Sequence, residues 1–222
     1  LIVTGVQTCA LPICKSNKDG DHFFKALKKK PLFIITQNKK RNLPDKNFII
    51  VKNIHTFYVK SIHQKFKKKP KYKVAVTGTN GKTSVAFFYY RILNLLGIKV
   101  GSIGTLGVFE NTKKSKGNLT TPDFFSNHKS LNHFYKKRIN HSIIEASSHG
   151  LKQNRLEKIN FDCGVFTNLT HDHLDYHKNF KDYFKSKLYL FEKLVKRNSS
   201  VITDIEIPEY KKIKRNFGAI HD

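Results

Sequence analysis

The stretch Val74-Ala75-Val76-Thr77-Gly78-Thr79-Asn80-Gly81-Lys82-Thr83-Ser84 passes from a β-branched apolar run into a glycine-bearing turn and then into a helical pattern. A run of this kind reads as a buried strand, and the two glycines let the backbone turn sharply with its N–H groups facing inward. The spacing therefore predicts a cradle for phosphate. Lys82 supplies a point charge for β- and γ-phosphates, and Thr83 places a hydroxyl for Mg²⁺. The helix behind the turn, read from Val85 to Leu96 and stopped by Gly97, offers its positive end. The full phosphate-loop pattern asks for glycine at the position of Val76, and here the first glycine comes later, at Gly78. The alternative is a glycine-rich turn that only caps a helix.

The segments on either side suit an α/β fold. His22 to Lys30 and His55 to Phe66 read as helices, and Leu32 to Thr36 and Phe48 to Val51 as strands. Pro70 and its lysine neighbours make a linker. Beyond the loop, Ile98 to Ile103, Ser142 to Ile144 and Phe161 to Phe166 are apolar enough for buried strands, with helical patterns between them. Such alternation predicts a mostly parallel sheet whose ligands gather beyond the carboxyl ends of the strands. The expected organisation is a small, incomplete N-terminal α/β domain over 15–70. A truncated, mostly parallel-sheet P-loop domain follows over 71–222.

The chain has 222 residues, enough for one large domain or two small ones. Its 42 basic and 16 acidic residues leave a net charge of +26, which raises the question of nucleic acid. The lysines are strewn through every segment, however, and runs such as Lys28 to Lys30 and Lys67 to Lys69 read as solvated surface. No nucleic-acid partner is expected. Residues 1–14 carry no charge and resemble a translated adaptor, too short and polar for a membrane span and without a basic leader. Together with the absence of methionine, this suggests that the natural start lies upstream. Setting that stretch aside removes Cys9 and Cys14 and leaves Cys163, so neither a disulfide framework nor a zinc site is expected. Cys163 reads as a small buried apolar side chain in a reducing, cytoplasmic setting.

Three features fall at the expected ligand edge: the Gly78 to Thr83 loop, Glu145 just past Ile144, and Thr170-His171-Asp172-His173 after the third of these strands. A carboxylate and an imidazole near a phosphate loop suit a divalent cation. His171, His173 and His177 can equally be surface histidines. Asn179 to Lys196 reads as an amphipathic helix with Phe180, Tyr183, Phe184, Leu190, Phe191 and Leu194 on its apolar stripe, and Lys187 falls inside that stripe. Lys187 is either a lysine snorkelling out of an apolar face or a functional lysine held against the site.

Three motifs carry a family resemblance: Thr77-Gly78-Thr79-Asn80-Gly81-Lys82-Thr83, Glu145-Ala146-Ser147-Ser148-His149-Gly150-Leu151, and Thr167-Asn168-Leu169-Thr170-His171-Asp172-His173-Leu174-Asp175-Tyr176-His177. From about Asp19 onward the chain resembles the Mur ligases. Within that family it resembles the member that adds the third amino acid of the peptidoglycan stem peptide. The resemblance implies a cytoplasmic, monomeric, ATP- and Mg²⁺-dependent amide ligase. Its substrates would be UDP-N-acetylmuramoyl-L-alanyl-D-glutamate and a diamino acid, meso-diaminopimelate or L-lysine, joined through an acyl phosphate.

Carried across by position, the resemblance makes Gly78, Thr79, Asn80, Gly81, Lys82, Thr83 and Ser84 the ATP loop, with Lys82 and Lys187 catalytic. Metal ligands would be Thr83, Glu145, His173 and Lys187, the last as a carbamate. Thr120, Thr121, Ser147, Gln153 and Arg155 would meet the muramoyl substrate, and Arg155 suits an anionic group. Asp19-Gly20-Asp21-His22-Phe23 resembles the end of the family's first domain. The serine-containing uridine motif has no counterpart, and the chain stops before the family's C-terminal domain, so the choice of amino acid stays open. A folylpolyglutamate synthetase-like ligase and a basic P-loop protein that binds nucleic acid are the alternatives.

Overall fold

The computed structural model describes residues 2–3, 33–36, 48–117, 119–172 and 175–215. The helix expected over His22 to Lys30, the Asp19 to Phe23 motif, Cys9, Cys14, Asn118 and His173 lie outside them. The chain divides into two compact units, Leu1–Lys65 and Phe66–Asp222.

In the first unit, β1 (Ile2–Val3), β2 (Phe33–Thr36) and β3 (Phe48–Ile50) form one sheet in that order, β2 parallel to β3 and β1 antiparallel to β2. Two residues of the uncharged opening stretch are thus paired with β2. Helix α1 (Ile54–Lys65) follows and buries Tyr58, Val59 and Ile62.

The second unit is built on a seven-stranded sheet. Its elements in chain order are β4 (Tyr72–Thr77), α2 (Lys82–Leu95), β5 (Val100–Gly104), β6 (Gly107–Glu110), β7 (Lys113–Ser115), α3 (Phe124–Lys136), β8 (His141–Glu145), α4 (Ser148–Lys152), β9 (Phe161–Phe166), α5 (Phe180–Tyr189), β10 (Val195–Thr203) and α6 (Tyr210–Arg215). Across the sheet the order is β10-β9-β4-β8-β5-β6-β7. The first five strands of that order are mutually parallel, and the β6–β7 hairpin adds an antiparallel edge. The fold is the α/β, mostly parallel architecture expected from the alternation of strands and helices.

Central strands covered on both faces need apolar side chains at consecutive positions, not alternate ones. β4 meets this demand, since everything from Lys73 to Thr77 is buried. Lys73 tolerates burial because its ammonium lies 2.8 Å from Asp162 and donates to Pro70 O at 3.0 Å. On one face Val74, Val76 and Ile143 pack with Ala86 of α2. On the other, Ala75, Ile103, Ile144 and Phe166 pack with Leu131 and Phe134 of α3 and Phe184 of α5.

The largest departure from expectation is at Asn179 to Lys196. Helix α5 ends at Tyr189, Leu190–Leu194 winds as one π turn, and β10 begins at Val195. Leu190, Phe191 and Leu194 are buried, so the apolar spacing persists past the end of the α-helix and makes the helix look longer than it is. The β6–β7 hairpin was not anticipated either, because Lys113-Lys114-Ser115 is fully exposed and carries no apolar pattern.

Candidate phosphate and metal site

The register of β4 against β8 pairs Val76 with Glu145, and that of β4 against β9 pairs Thr77 with Phe166. The loop after β4, Glu145 and the segment after β9 therefore emerge together at one edge of the sheet. Gly78 (φ 146°) and Gly81 (φ 83°) hold backbone conformations that side chains disfavour, and a Cβ on Gly78 would overlap the Thr167 hydroxyl.

The segment after β9 clamps the loop from outside. Thr79 N–H donates to Asn168 O at 3.0 Å, Asn80 N–H donates to Asn168 Oδ1 at 2.9 Å, and the Thr167 hydroxyl donates to Asn80 O at 2.6 Å. Lys82 opens α2 and folds its ammonium back onto two loop carbonyls, Gly78 O at 2.9 Å and Thr79 O at 2.7 Å. Burial lowers the pKa of Lys82, against the opposing pull of Glu145 and Asp172. Ser84 is exposed on the first turn of the helix.

Two clusters flank this loop. In the first, Glu145 is 2% exposed and fully engaged. The Thr83 hydroxyl donates to its Oε2 at 2.8 Å, Thr105 N–H donates to Oε1 at 2.9 Å, and the Thr105 hydroxyl lies 3.1 Å from Oε2. The Thr105 hydroxyl also lies 3.0 Å from that of Thr120. The Thr121 hydroxyl donates to Glu145 O at 2.7 Å, accepts from Ser147 N–H at 2.9 Å and lies 3.0 Å from the Ser147 hydroxyl. Ser147 also caps α4 by accepting from Gly150 N–H. Arg155 donates to Thr121 O at 2.7 Å and, through Nε and Nη2, to Gln153 Oε1, while Gln153 reaches the Tyr176 hydroxyl at 3.0 Å.

The second cluster centres on Lys187, which is 1% exposed. Its ammonium does not snorkel to solvent but donates to Gly78 O at 2.6 Å. Burial and the neighbouring Lys82 lower its pKa to about 7, against the pull of Asp172. At neutral pH part of the population thus carries a free amine lone pair.

The loop, Glu145, Thr120, Thr121, Ser147, Gln153, Arg155 and Lys187 lie in one connected set of contacts around the loop after β4. Sequence reasoning missed Thr105, which sits in a turn without any motif, and gave Tyr183 no role beyond its apolar stripe. The Thr83 hydroxyl and Glu145 carboxylate supply hard oxygen donors of the kind Mg²⁺ takes while keeping waters and phosphate oxygens. Among the described residues no cluster of three or more His, Cys, Asp and Glu side chains is placed to hold a metal. Cys163 is partly buried against the α2 face of the sheet, and burial pushes its thiol up to about 11.

Known proteins share this sequence pattern and fold. The family model described as the Mur ligase middle domain matches residues 76–220. The chain belongs to the Mur ligase family. A UDP-N-acetylmuramoyl-L-alanyl-D-glutamate--2,6-diaminopimelate ligase of Rickettsia conorii is 39% identical over 203 residues, covering 89% of this chain and 42% of that protein. The protein of the same name from Wigglesworthia glossinidia brevipalpis is 50% identical over 121 residues, 54% of this chain and 24% of that protein. The chain thus spans less than half the length of these Mur ligase relatives. A solved structure of a protein of that name superposes with a TM-score of 0.69 at 25% identity, over 86% of this chain and 38% of that one. A Thermotoga maritima MurF ligase in complex with ADP shares the fold, with a TM-score of 0.59 at 20% identity over 91% of this chain and 44% of that one.

Proposed function

We propose that this chain is the nucleotide-binding part of an ATP-dependent ligase that joins meso-diaminopimelate to UDP-N-acetylmuramoyl-L-alanyl-D-glutamate. The observation that carries the reading is the Thr83–Glu145 contact at the mouth of the glycine loop, continuous through Thr121 with Ser147 and Arg155. That chain of contacts supports reading a phosphate and metal half-site beside a half-site for an anionic substrate. The names of the relatives supply the substrate pair and favour diaminopimelate over lysine.

In this reading the first amides of α2 and Lys82 receive the β- and γ-phosphates, and Lys82 exchanges its two loop carbonyls for phosphate oxygens. Thr83 and Glu145 would hold Mg²⁺, which would supply charge to offset that of the phosphates. Arg155, already oriented by Gln153 and Thr121 O, meets an anionic group of the muramoyl peptide, with Thr120 and Ser147 beside it. The D-glutamyl carboxylate would take the γ-phosphoryl group from ATP with release of ADP, and the amine of the diamino acid would then displace phosphate from the acyl carbon and lose a proton. The protein contributes mainly position and charge neutralisation. Lys187 is proposed to carry a carbamate, which its partly neutral amine can form with carbon dioxide. As an ammonium it repels a cation, whereas a carbamate presents oxygen donors. His173, outside the described residues, is kept as a proposed metal ligand.

Calorimetry with Mg·ATP, followed by mass detection of tripeptide from the UDP-dipeptide and diaminopimelate, tests the reading. The 222 residues are expected to bind nucleotide. The rate of tripeptide formation is read against an ordinary turnover of roughly 1–10³ s⁻¹, since in-line geometry tolerates little misplacement. Absence of Mg·ATP affinity in the folded chain rejects the proposal.

A further inference from the structure

Tyr183 lies one helical turn before Lys187 on α5 and is fully buried. Its hydroxyl is 3.0 Å from the hydroxyl of Thr79 in the glycine loop, and its ring centroid is 4.4 Å from the Lys187 ammonium. The Thr79 hydroxyl accepts from Thr170 N–H at 2.9 Å and lies 3.3 Å from Thr170 O. A hydroxyl has one proton and two acceptor sites. Either hydroxyl can donate in the Tyr183–Thr79 bond, and the loss of either hydroxyl removes it.

Before any carbamate forms, the ring face supports the cation, and the Lys187 ammonium in turn holds Gly78 O. One side chain thus touches both ends of a short circuit: Gly78 to Thr79 along the loop, Thr79 to Tyr183 by a hydrogen bond, Tyr183 to Lys187 through the ring, and Lys187 back to Gly78. The ring of His177, itself 1% exposed, lies 5.1 Å from that of Tyr183 and limits its movement.

We propose that Tyr183 is a positioning residue that locks the glycine loop to Lys187, so that the phosphate cradle and the lysine keep one relative geometry. The proposal rests on the nucleotide reading of the loop for its functional meaning, but not for its test.

The test pairs Tyr183→Phe, which keeps the ring and drops the hydroxyl, with Thr79→Val, which removes the same bond from the other side together with both Thr170 contacts. In amide hydrogen exchange, Tyr183→Phe is expected to speed exchange at Thr79 and Thr170 selectively, by roughly three- to tenfold for one buried hydrogen bond. Mg·ATP affinity should fall by a similar factor in Tyr183→Phe and by at least that factor in Thr79→Val. It should fall no further in the double variant than in Thr79→Val, because the Tyr183 bond is already lost there. In NMR spectra the Lys187 ε-methylene signals should keep their ring-current displacement in Tyr183→Phe and lose it in Tyr183→Leu. A purely structural tyrosine would instead speed exchange throughout the second unit without singling out Thr79 and Thr170. Parent-like exchange in Tyr183→Phe, additive effects in the double variant, or unmoved Lys187 signals in Tyr183→Leu each overturn the proposal. If Tyr183→Leu does not fold, the Phe and Val variants decide the matter. If the parent binds no Mg·ATP, the nucleotide reading falls, and exchange and ring-current shifts still judge the lock.

Discussion

Lys82 and Lys187 both donate to Gly78 O, yet they differ in what burial does to them. Lys82 is half-buried at the mouth of the loop and bonds two carbonyls that water can also satisfy. Lys82→Ala is therefore expected to abolish Mg·ATP binding by calorimetry while leaving the circular dichroism spectrum and melting point near those of the parent. Lys187 has exchanged water for one carbonyl and a ring face, and its pKa falls to about 7. Between about 7 and its ordinary 10.5, the unfolded chain holds a proton that the folded chain has shed. Unfolding takes up that proton, so stability rises with pH across the window, and the full burial penalty applies below it. Lys69, lowered to about 8, acts in the same direction, and the raised thiol of Cys163 opposes only above its ordinary 9.0. Urea titrations should show Lys187→Met more stable than the parent at pH 7. The difference should shrink by about 2 kcal/mol on going to pH 9, given ~1.4 kcal/mol per pH unit for one proton. An equal slope in both proteins would mean that the folded lysine keeps its proton across this range and that burial does not lower its pKa.

Element by element, legibility followed how local the determining physics is. The strand over Phe161 to Phe166 and the helix near Ile54 to Lys65 could be read from neighbouring residues, because covered strands and amphipathic helices have short-range patterns. Helix α2 starts at Lys82, ahead of the expected Val85, since Gly81 and the loop set its first turn and its apolar pattern begins later. The end of α5 was not legible. Leu190, Phe191 and Leu194 keep helical spacing, and only pairing with β9, distant in sequence, draws Val195 into a strand. Phe191 occupies that turn at 1% exposure, with its ring 6.0 Å from Phe166 and its edge under Gly164. Removing it leaves a cavity between the π turn and the sheet. Phe191→Ala should lower the unfolding free energy by about 3–5 kcal/mol, read by urea titration. A loss under about 1 kcal/mol would mean that the turn repacks freely. The site shows the same division: Gly78 to Thr83, Glu145 and Lys187 could be picked out by residue type and spacing. Thr105 and the role of Tyr183 could not, because each acts through one contact made only when distant segments meet.

At the scale of the whole molecule the question is what a net charge of +26 does to the choice of partner. A nucleic-acid surface concentrates cations along one face so that many phosphates are neutralised at once. Within the second unit, exposed Lys113 and Lys114 of β7 stand at one edge of the sheet, and exposed Lys196 of β10 stands at the other. Lys129 of α3 lines one cleft with Lys113 and Lys114, in which Glu110 supplies an opposing charge, and Lys136 lies in the last turn of the same helix. Lys196 is also paired with Asp162. Charge spread in this way attracts a polyanion diffusely and does not define a register. Binding to duplex DNA is therefore expected to be insensitive to sequence and no tighter than the non-specific range of about 10⁻⁴–10⁻⁶ M at physiological salt. Because that binding makes no use of the glycine loop, Lys82→Ala should leave it within about a factor of two, one phosphate contact at most being lost, while removing Mg·ATP affinity. Fluorescence anisotropy with unrelated duplexes across a salt series provides the measurement, run beside calorimetry on the same preparations. Sequence-selective binding near 10⁻⁸ M, or DNA affinity lost together with ATP affinity in Lys82→Ala, would show that the charge serves a nucleic-acid site and that the ligase reading of the loop is wrong.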